Sequence, residues 1–184
     1  QHVLKSPYSV LEQNFVLLQN ALNIARRQKD LKRFVFTSTS EVYAGTLHYY
    51  GLVFPTPETT PLTVNNLNEA RTSYMLSKIY GESMCHHSGL PITIIRPHNF
   101  YGPRMGLSHV IPELMKKVID ADDGIVDVYS VKHKRTFCYI GDAVKIIQLL
   151  AESINTIGEV YNVGNYDEEI TMDELAKKII AMIG

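Results

Sequence analysis

Glycine pairs at nucleotide-binding spacing are missing from this chain. Its 11 glycines form no G-x-G, no G-x-x-G and no G-x-x-x-x-G-K, so a backbone turn that cradles phosphates is expected to lie outside these residues. HExxH, CxxC and GxSxG are absent as well, which removes the zinc-protease, thiol-redox and serine-hydrolase readings. Cysteine is scarce. Cys85 and Cys138 give no disulfide framework, and Cys85-His86-His87 are adjacent rather than spaced for chelation, so no metal site is expected. A formal charge of −1 lacks the basic excess of a general nucleic-acid binder. No apolar run approaches the roughly 18 residues of a membrane helix. Gln1-His2-Val3-Leu4-Lys5 lacks the basic start and apolar stretch of a secretory leader. A cytoplasmic location is therefore expected. The chain starts at Gln1 rather than Met, and is expected to be a piece of a longer protein.

What is present, 184 residues with 45% apolar and 20% charged, suffices for one core of ordinary size. Leu11, Phe15, Leu18, Leu22 and Ala25 recur at helical spacing and predict a helix over Ser9–Lys29. Arg33–Thr37 reads as a short buried strand. Residues 44–68, with Pro55, Pro57 and Pro61, show no sustained period and read as a long loop. A helix from Glu69 to His87 follows, then a core strand over Leu90–Arg96 whose apolar residues run on without alternation, as in buried parallel strands. Residues 97–109 are expected to be loop and Val110–Asp120 helix. Strands are expected over Ile125–Tyr129 and Lys134–Tyr139, and a helix capped by Asp142 reaches Ser153. Val160–Val163 is a last strand, and Thr171 with Glu174 forms a capping box for the final helix. The αβαβ alternation of the first half favours a parallel sheet with helices on both faces. The second half is mixed α+β and reads as a smaller lobe.

Tyr74 and Lys78 stand four residues apart, one above the other on a helix. An ammonium there favours the phenolate and makes Tyr74 a usable base. Upstream, Thr37-Ser38-Thr39-Ser40-Glu41-Val42-Tyr43 sets hydroxyls at the C-terminal edge of a parallel strand, where open α/β sheets bind ligands. Downstream, the next strand ends in Arg96-Pro97-His98-Asn99-Phe100-Tyr101-Gly102-Pro103. His98 reads as a packed loop residue.

These three motifs in this order resemble the extended short-chain dehydrogenase/reductases that act on nucleotide sugars: the NAD-dependent epimerases, dehydratases and decarboxylases. The shared pattern is S-[ST]-x-x-V-Y, then YxxxK, then R-x-x-N-x-Y-G-P. The likeness runs from the helix at Ser9 through Asn162-Val163-Gly164-Asn165 to the final helix, and begins after the family's first strands and glycine-rich turn. It implies the C-terminal part of a Rossmann-type doubly wound sheet with a smaller substrate lobe. Residues 1–107 would form the partial NAD-binding domain and residues 108–184 mainly the substrate lobe, with 135–155 returning to the Rossmann core.

The resemblance also implies roles. Thr39 would hydrogen-bond the sugar 4-hydroxyl and Tyr74 would take its proton. Lys78 would hold the nicotinamide ribose of NAD, and Pro97 would border the nicotinamide. Asn99, His109 and Arg135 would contact the nucleotide and diphosphate of the substrate. Arg135 lies in the basic run Lys132-His133-Lys134-Arg135, which suits a dianion. A homodimer built on the helices over 9–29 and 69–87 is expected by the same likeness.

The step after oxidation at C4 turns on Ser40-Glu41. Where the 4,6-dehydratases carry an Asp-Glu pair, Ser40 cannot supply a carboxylic proton, so dehydration is disfavoured. Epimerisation is expected first. A UDP-glucuronate decarboxylase-like reaction remains open, although Ala44-Gly45-Thr46 replaces that group's usual Gly-Asp. A reading of another class is a non-catalytic nucleotide-sugar-binding or dimerisation module.

Overall fold

Pro7 occupies the first position of the longest helix, where its fixed φ suits a helix and its missing N–H costs nothing. The computed structural model describes residues 2–121 and 124–183. Its helices, in chain order, are α1 (His2–Lys5), α2 (Pro7–Arg26), α3 (Ala44–Tyr50), α4 (Ala70–His86), α5 (Val110–Ile119), α6 (Ile140–Glu152) and α7 (Met172–Ile183). The strands are β1 (Phe34–Thr37), β2 (Ile92–Pro97), β3 (Phe100–Tyr101), β4 (Lys134–Arg135), β5 (Cys138–Tyr139), β6 (Val160–Val163) and β7 (Ile170–Thr171). These elements divide into two units. One contains residues up to His98 together with Val144–Val163, and the other Asn99–Ala143 together with residues from Gly164 onward. No helix among the described residues is long and apolar enough to cross a membrane.

The first unit is parallel α/β. Its sheet has the order β1-β2-β6, with both pairings parallel. Thr37 lies opposite Ile95 and Pro97 opposite Val163, so the C-terminal ends of β1 and β2 lie on one edge. Leu18 and Leu22 of α2 and Cys85 of α4 pack on Ile92 and Ile94 of β2, with Phe34, Phe36 and Val160 around them. Burying each leucine contributes about 1.5–3 kcal/mol. The second unit is mixed α+β. Leu114 of α5 meets Met172, Leu175 and Ile179 of α7, with Val128, Phe137 and Ile170 against them. Its two small sheets pair β3 with β5 in parallel and β4 with β7 antiparallel.

Several sequence expectations change. The expected loop over 44–68 begins as α3, which no periodicity announces. Tertiary anchoring holds it: the Thr46 hydroxyl donates to the Pro61 carbonyl at 2.6 Å and accepts from the Thr63 N–H at 3.1 Å. Gly45 lies so close to the Thr63 carbonyl that a side chain would not fit. The expected strand over Ile125–Tyr129 does not form; the segment is irregular, and Val128 packs into the α5–α7 core. The single strand expected over Lys134–Tyr139 is two short pieces in different sheets. Residues 97–109 are not all loop, since β3 lies within them. Asp142 does not cap α6. It sits inside the first turn, where its charge complements the helix dipole. The capping box forms as expected: Glu174 N–H donates to the Thr171 hydroxyl at 3.1 Å, and Thr171 N–H donates to the Glu174 carboxylate at 2.8 Å.

The approach of α4 to α2 and the sheet depends on Gly81. A Cβ there would lie 2.6 Å from Phe36 Cζ and 3.1 Å from Leu18 Cδ2. Gly81→Ala is expected to lower the unfolding free energy by about 1–3 kcal/mol, read from the urea midpoint. An unchanged midpoint would mean that the Phe36 ring gives way without cost.

Candidate functional site

β1 ends because Ser38 to Tyr43 turn the chain sharply. Ser38 still donates its N–H to the Ile95 carbonyl at 2.8 Å, extending the ladder by one bond. Thr39 remains extended at φ −165° and ψ 151°, and its hydroxyl accepts the Glu41 N–H at 3.2 Å, capping a short 3-10 turn over Ser40–Tyr43. This arrangement presents Thr39, Ser40 and Glu41, all half-buried, at the C-terminal edge of the sheet. That edge is where open α/β sheets place ligands.

Helix α4 brings Tyr74 and Lys78 to the same place. The Lys78 ammonium donates to the Thr37 carbonyl at 2.8 Å. Its nitrogen lies 5.3 Å from the Phe36 ring centroid and 5.7 Å from that of Tyr74. Glu41 accepts from Arg71 of α4 at 3.3 Å, in a solvent-exposed pair. Thr39, Glu41, Tyr74 and Lys78 therefore converge from two elements 30 or more residues apart. Pro97 ends β2 opposite Val163.

The electrostatics correct one expectation. Tyr74 lies above its ordinary value of 10.0, raised first by burial and then by the Glu41 charge, while a hydrogen-bonding interaction with the Thr39 side chain draws it down. Lys78 lies below its ordinary value because burial disfavours its charge. The expected easing of Tyr74 ionisation by the lysine is outweighed. The ammonium is engaged by the Thr37 carbonyl, and desolvation dominates the phenol.

Three further residues read from the sequence belong to the second unit. Asn99 takes a left-handed backbone at φ 44°. Its side-chain amide donates to the Thr136 carbonyl at 3.0 Å, and its own carbonyl accepts the Cys138 N–H at 3.1 Å. His109 is exposed and immediately precedes α5. Arg135 is exposed in β4, opposite Ile170. Its neighbour Lys134 pairs with Glu169 at 3.5 Å.

Sequence reasoning passed over two features of the first unit. His98 is more than a packed loop residue, since its Nδ1 lies 2.9 Å from the Ser40 hydroxyl. Glu82 and Arg96 form a buried ion pair at 2.6 Å. Both had a readable signal: Glu82 continues the 74–78 spacing by one more turn, and an arginine closing an apolar strand must find a partner.

The matching family model is that of the NAD dependent epimerase/dehydratase family, over residues 2–164. The chain is 33% identical over 184 residues to the UDP-N-acetyl-alpha-D-glucosaminuronate decarboxylase of Bacillus cytotoxicus, a match covering 96% of this chain and 53% of that protein. Among solved structures it is similar to the dTDP-glucose 4,6-dehydratase of Bacillus anthracis in complex with NAD, at 25% identity and a TM-score of 0.74, covering 95% of this chain and 53% of that one. An epimerase from Methanothermobacter thermautotrophicus has a TM-score of 0.81 over 100% of this chain and 53% of that one; at 21% identity the likeness is one of fold. The chain thus spans about half the length of the relatives it matches. With a parallel sheet edge carrying Thr39, Tyr74 and Lys78, and a family match over most of its length, this chain belongs to the NAD-dependent epimerase/dehydratase family.

Proposed function

We propose that this chain supplies the proton-transfer residues of an enzyme that oxidises the C4 hydroxyl of a nucleotide-linked sugar to a 4-keto intermediate. The observation that carries this reading is the convergence of Thr39, Tyr74 and Lys78 at the sheet edge. Thr39 orients the sugar hydroxyl and Tyr74 removes its proton. Lys78 has three ammonium donors, of which the Thr37 carbonyl takes one. That donor set fits the adjacent hydroxyls of a nicotinamide ribose. The residues present thus suit the nicotinamide end of NAD, with Pro97 bordering the ring, whereas a glycine turn for the diphosphate is not among them. When bound, oxidised NAD supplies a positive ring charge and the acceptor for the hydride leaving C4. Burial and the Glu41 charge hold Tyr74 above its ordinary value, so positive charge added to the site would favour its action as a base near neutral pH.

For the step after oxidation we favour epimerisation. Ser40 offers a hydroxyl where dehydration needs a carboxylic acid, and Glu41 is engaged by Arg71. Return of the hydride to the other face of the ketone needs no further acid or base. Decarboxylation is the second reading, supported by the 33% identity to a nucleotide-hexuronate decarboxylase. In the second unit Asn99, His109 and Arg135 are assigned to the nucleotide and diphosphate, Arg135 being the member of the basic run suited to a bidentate contact. We assign cofactor binding and catalysis mainly to 1–107, within which Asn99 serves the substrate, and substrate recognition mainly to 108–184, with 135–155 returning to the Rossmann core, its part from Val144 onward lying in the first unit. The exposed Val16, Leu17 and Ile24 of α2 and Tyr80 of α4 are the surface assigned to a homodimer.

Two outcomes test the reading in the full-length protein. Tyr74→Phe is expected to abolish turnover of nucleotide sugars while leaving their binding within about twofold, since only the proton acceptor is lost. Mass spectrometry of wild-type products then separates the branches: unchanged mass with altered retention means epimerisation, loss of carbon dioxide decarboxylation, and loss of water dehydration. Binding with no product from any nucleotide sugar would favour the non-catalytic module. Glu41→Gln removes a negative charge that holds the phenol protonated. The Tyr74 titration is therefore expected to move down, and the alkaline-rising limb of kcat to move to lower pH with it.

A further inference from the structure

Tyr74, Lys78 and Glu82 follow one another at four-residue intervals along α4, so all three lie on one stripe of the helix. Tyr74 and Lys78 are absorbed by the proposed chemistry. Glu82 is not, yet it is 4% exposed. A buried carboxylate persists only when it is paired and hydrogen-bonded. One of its oxygens accepts from the Ser38 hydroxyl at 2.5 Å and from Arg96 Nε at 2.9 Å, and the other accepts from Arg96 Nη2 at 2.6 Å. Ser38, itself 3% exposed, is the residue immediately before Thr39. The carboxylate therefore holds the end of β1 and the end of β2 against the helix that carries the base.

We propose that Glu82 is a positioning residue: through Ser38 it fixes the separation between Thr39 and Tyr74. This deepens the reading given above and rests on it for the roles of Thr39 and Tyr74. Arg96 extends the arrangement. Its Nη1 donates to the Tyr43 hydroxyl at 2.5 Å and to the Glu58 carbonyl at 2.9 Å. Tyr43 in turn donates to Asn162 Oδ1 at 3.0 Å. The turn carrying Thr39, Ser40 and Glu41 is thus held at both ends, by Ser38 on Glu82 and by Tyr43 on Arg96. Neither Glu82 nor Arg96 needs to touch substrate to do this. A displacement of about 1 Å in a proton-transfer pair can lower the rate on the order of a hundredfold.

The test uses the full-length protein and the variant Ser38→Ala, which removes only the link and leaves the buried Glu82–Arg96 pair intact. Glu82→Gln is the second variant, preserving shape and an acceptor. Tyr74 is followed by NMR titration of ring-labelled tyrosine, assigned by comparison with Tyr74→Phe. Thr39 and Glu41 of the turn act on its hydroxyl, and the Lys78 ammonium of α4 lies 5.7 Å from its ring centroid. Ser38→Ala is expected to raise the Tyr74 titration, because Thr39 no longer favours the phenolate. It is also expected to lower kcat by about ten- to a hundredfold with KM within about twofold. Ser38→Thr, which restores the hydroxyl, is expected to bring both back. A Ser38→Ala protein whose Tyr74 titrates as in the wild type and whose kcat is retained would overturn the proposal, whatever its melting temperature. If the wild type oxidises no nucleotide sugar, the functional reading falls, while the Tyr74 titration still decides whether Glu82 and Ser38 position Thr39.

Discussion

The pairing of Arg96 with Glu82 is the constraint on which the first unit depends. Both side chains are almost wholly buried, and removing one partner of such a pair leaves an uncompensated charge, at a cost of about 3–5 kcal/mol. Arg96 is therefore obliged to hold what it touches: Glu82 of α4, Tyr43 of the turn after β1, and the Glu58 carbonyl. The Glu58 carboxylate accepts the Asn162 N–H of β6 at 2.9 Å, and the Thr56 carbonyl accepts the Asn162 amide at 2.8 Å. A segment without regular secondary structure is thereby fastened to the sheet edge. The guanidinium also lies 4.9 Å from the centroid of the Tyr43 ring, so the charge is satisfied on its faces as well as its edges.

The chemistry sits beside this scaffold and draws on a different balance. Burial raises Tyr74 and lowers Lys78, so in the protein alone both groups favour their neutral forms more than they would in water. Thr39 opposes that trend at Tyr74 and Glu41 reinforces it. That upward push on Tyr74 comes from this chain's own residues, namely its burial and the Glu41 charge.

Much of the architecture was legible because it rests on local patterns. The Leu11–Ala25 periodicity located α2, the continuous Ile92–Ile95 run located β2, and Thr171 with Glu174 located the start of α7. Helical spacing placed Tyr74 and Lys78 on one face, and strand ends located Thr39 and Pro97. The failures share a cause. The stability of α3 comes from Thr46 reaching Pro61 and Thr63, contacts at sequence separations of 15 and 17 that no window of periodicity contains. Residues 125–129 carry the β-branched and aromatic residues that strands favour, but such propensity yields a strand only where the fold offers a ladder to join.

The order of motifs, the family they belong to and the identity of the candidate base follow from the amino-acid sequence alone, because each depends on residue type and short-range spacing. Tertiary structure alone decided the environment of those groups. It set Tyr74 upward rather than downward, brought His98 to Ser40, and turned Glu82 and Arg96 from two charges 14 residues apart into the joint between strand and helix. Burial and long-range pairing fix the energy of a charge, and neither is written in the neighbours along the chain.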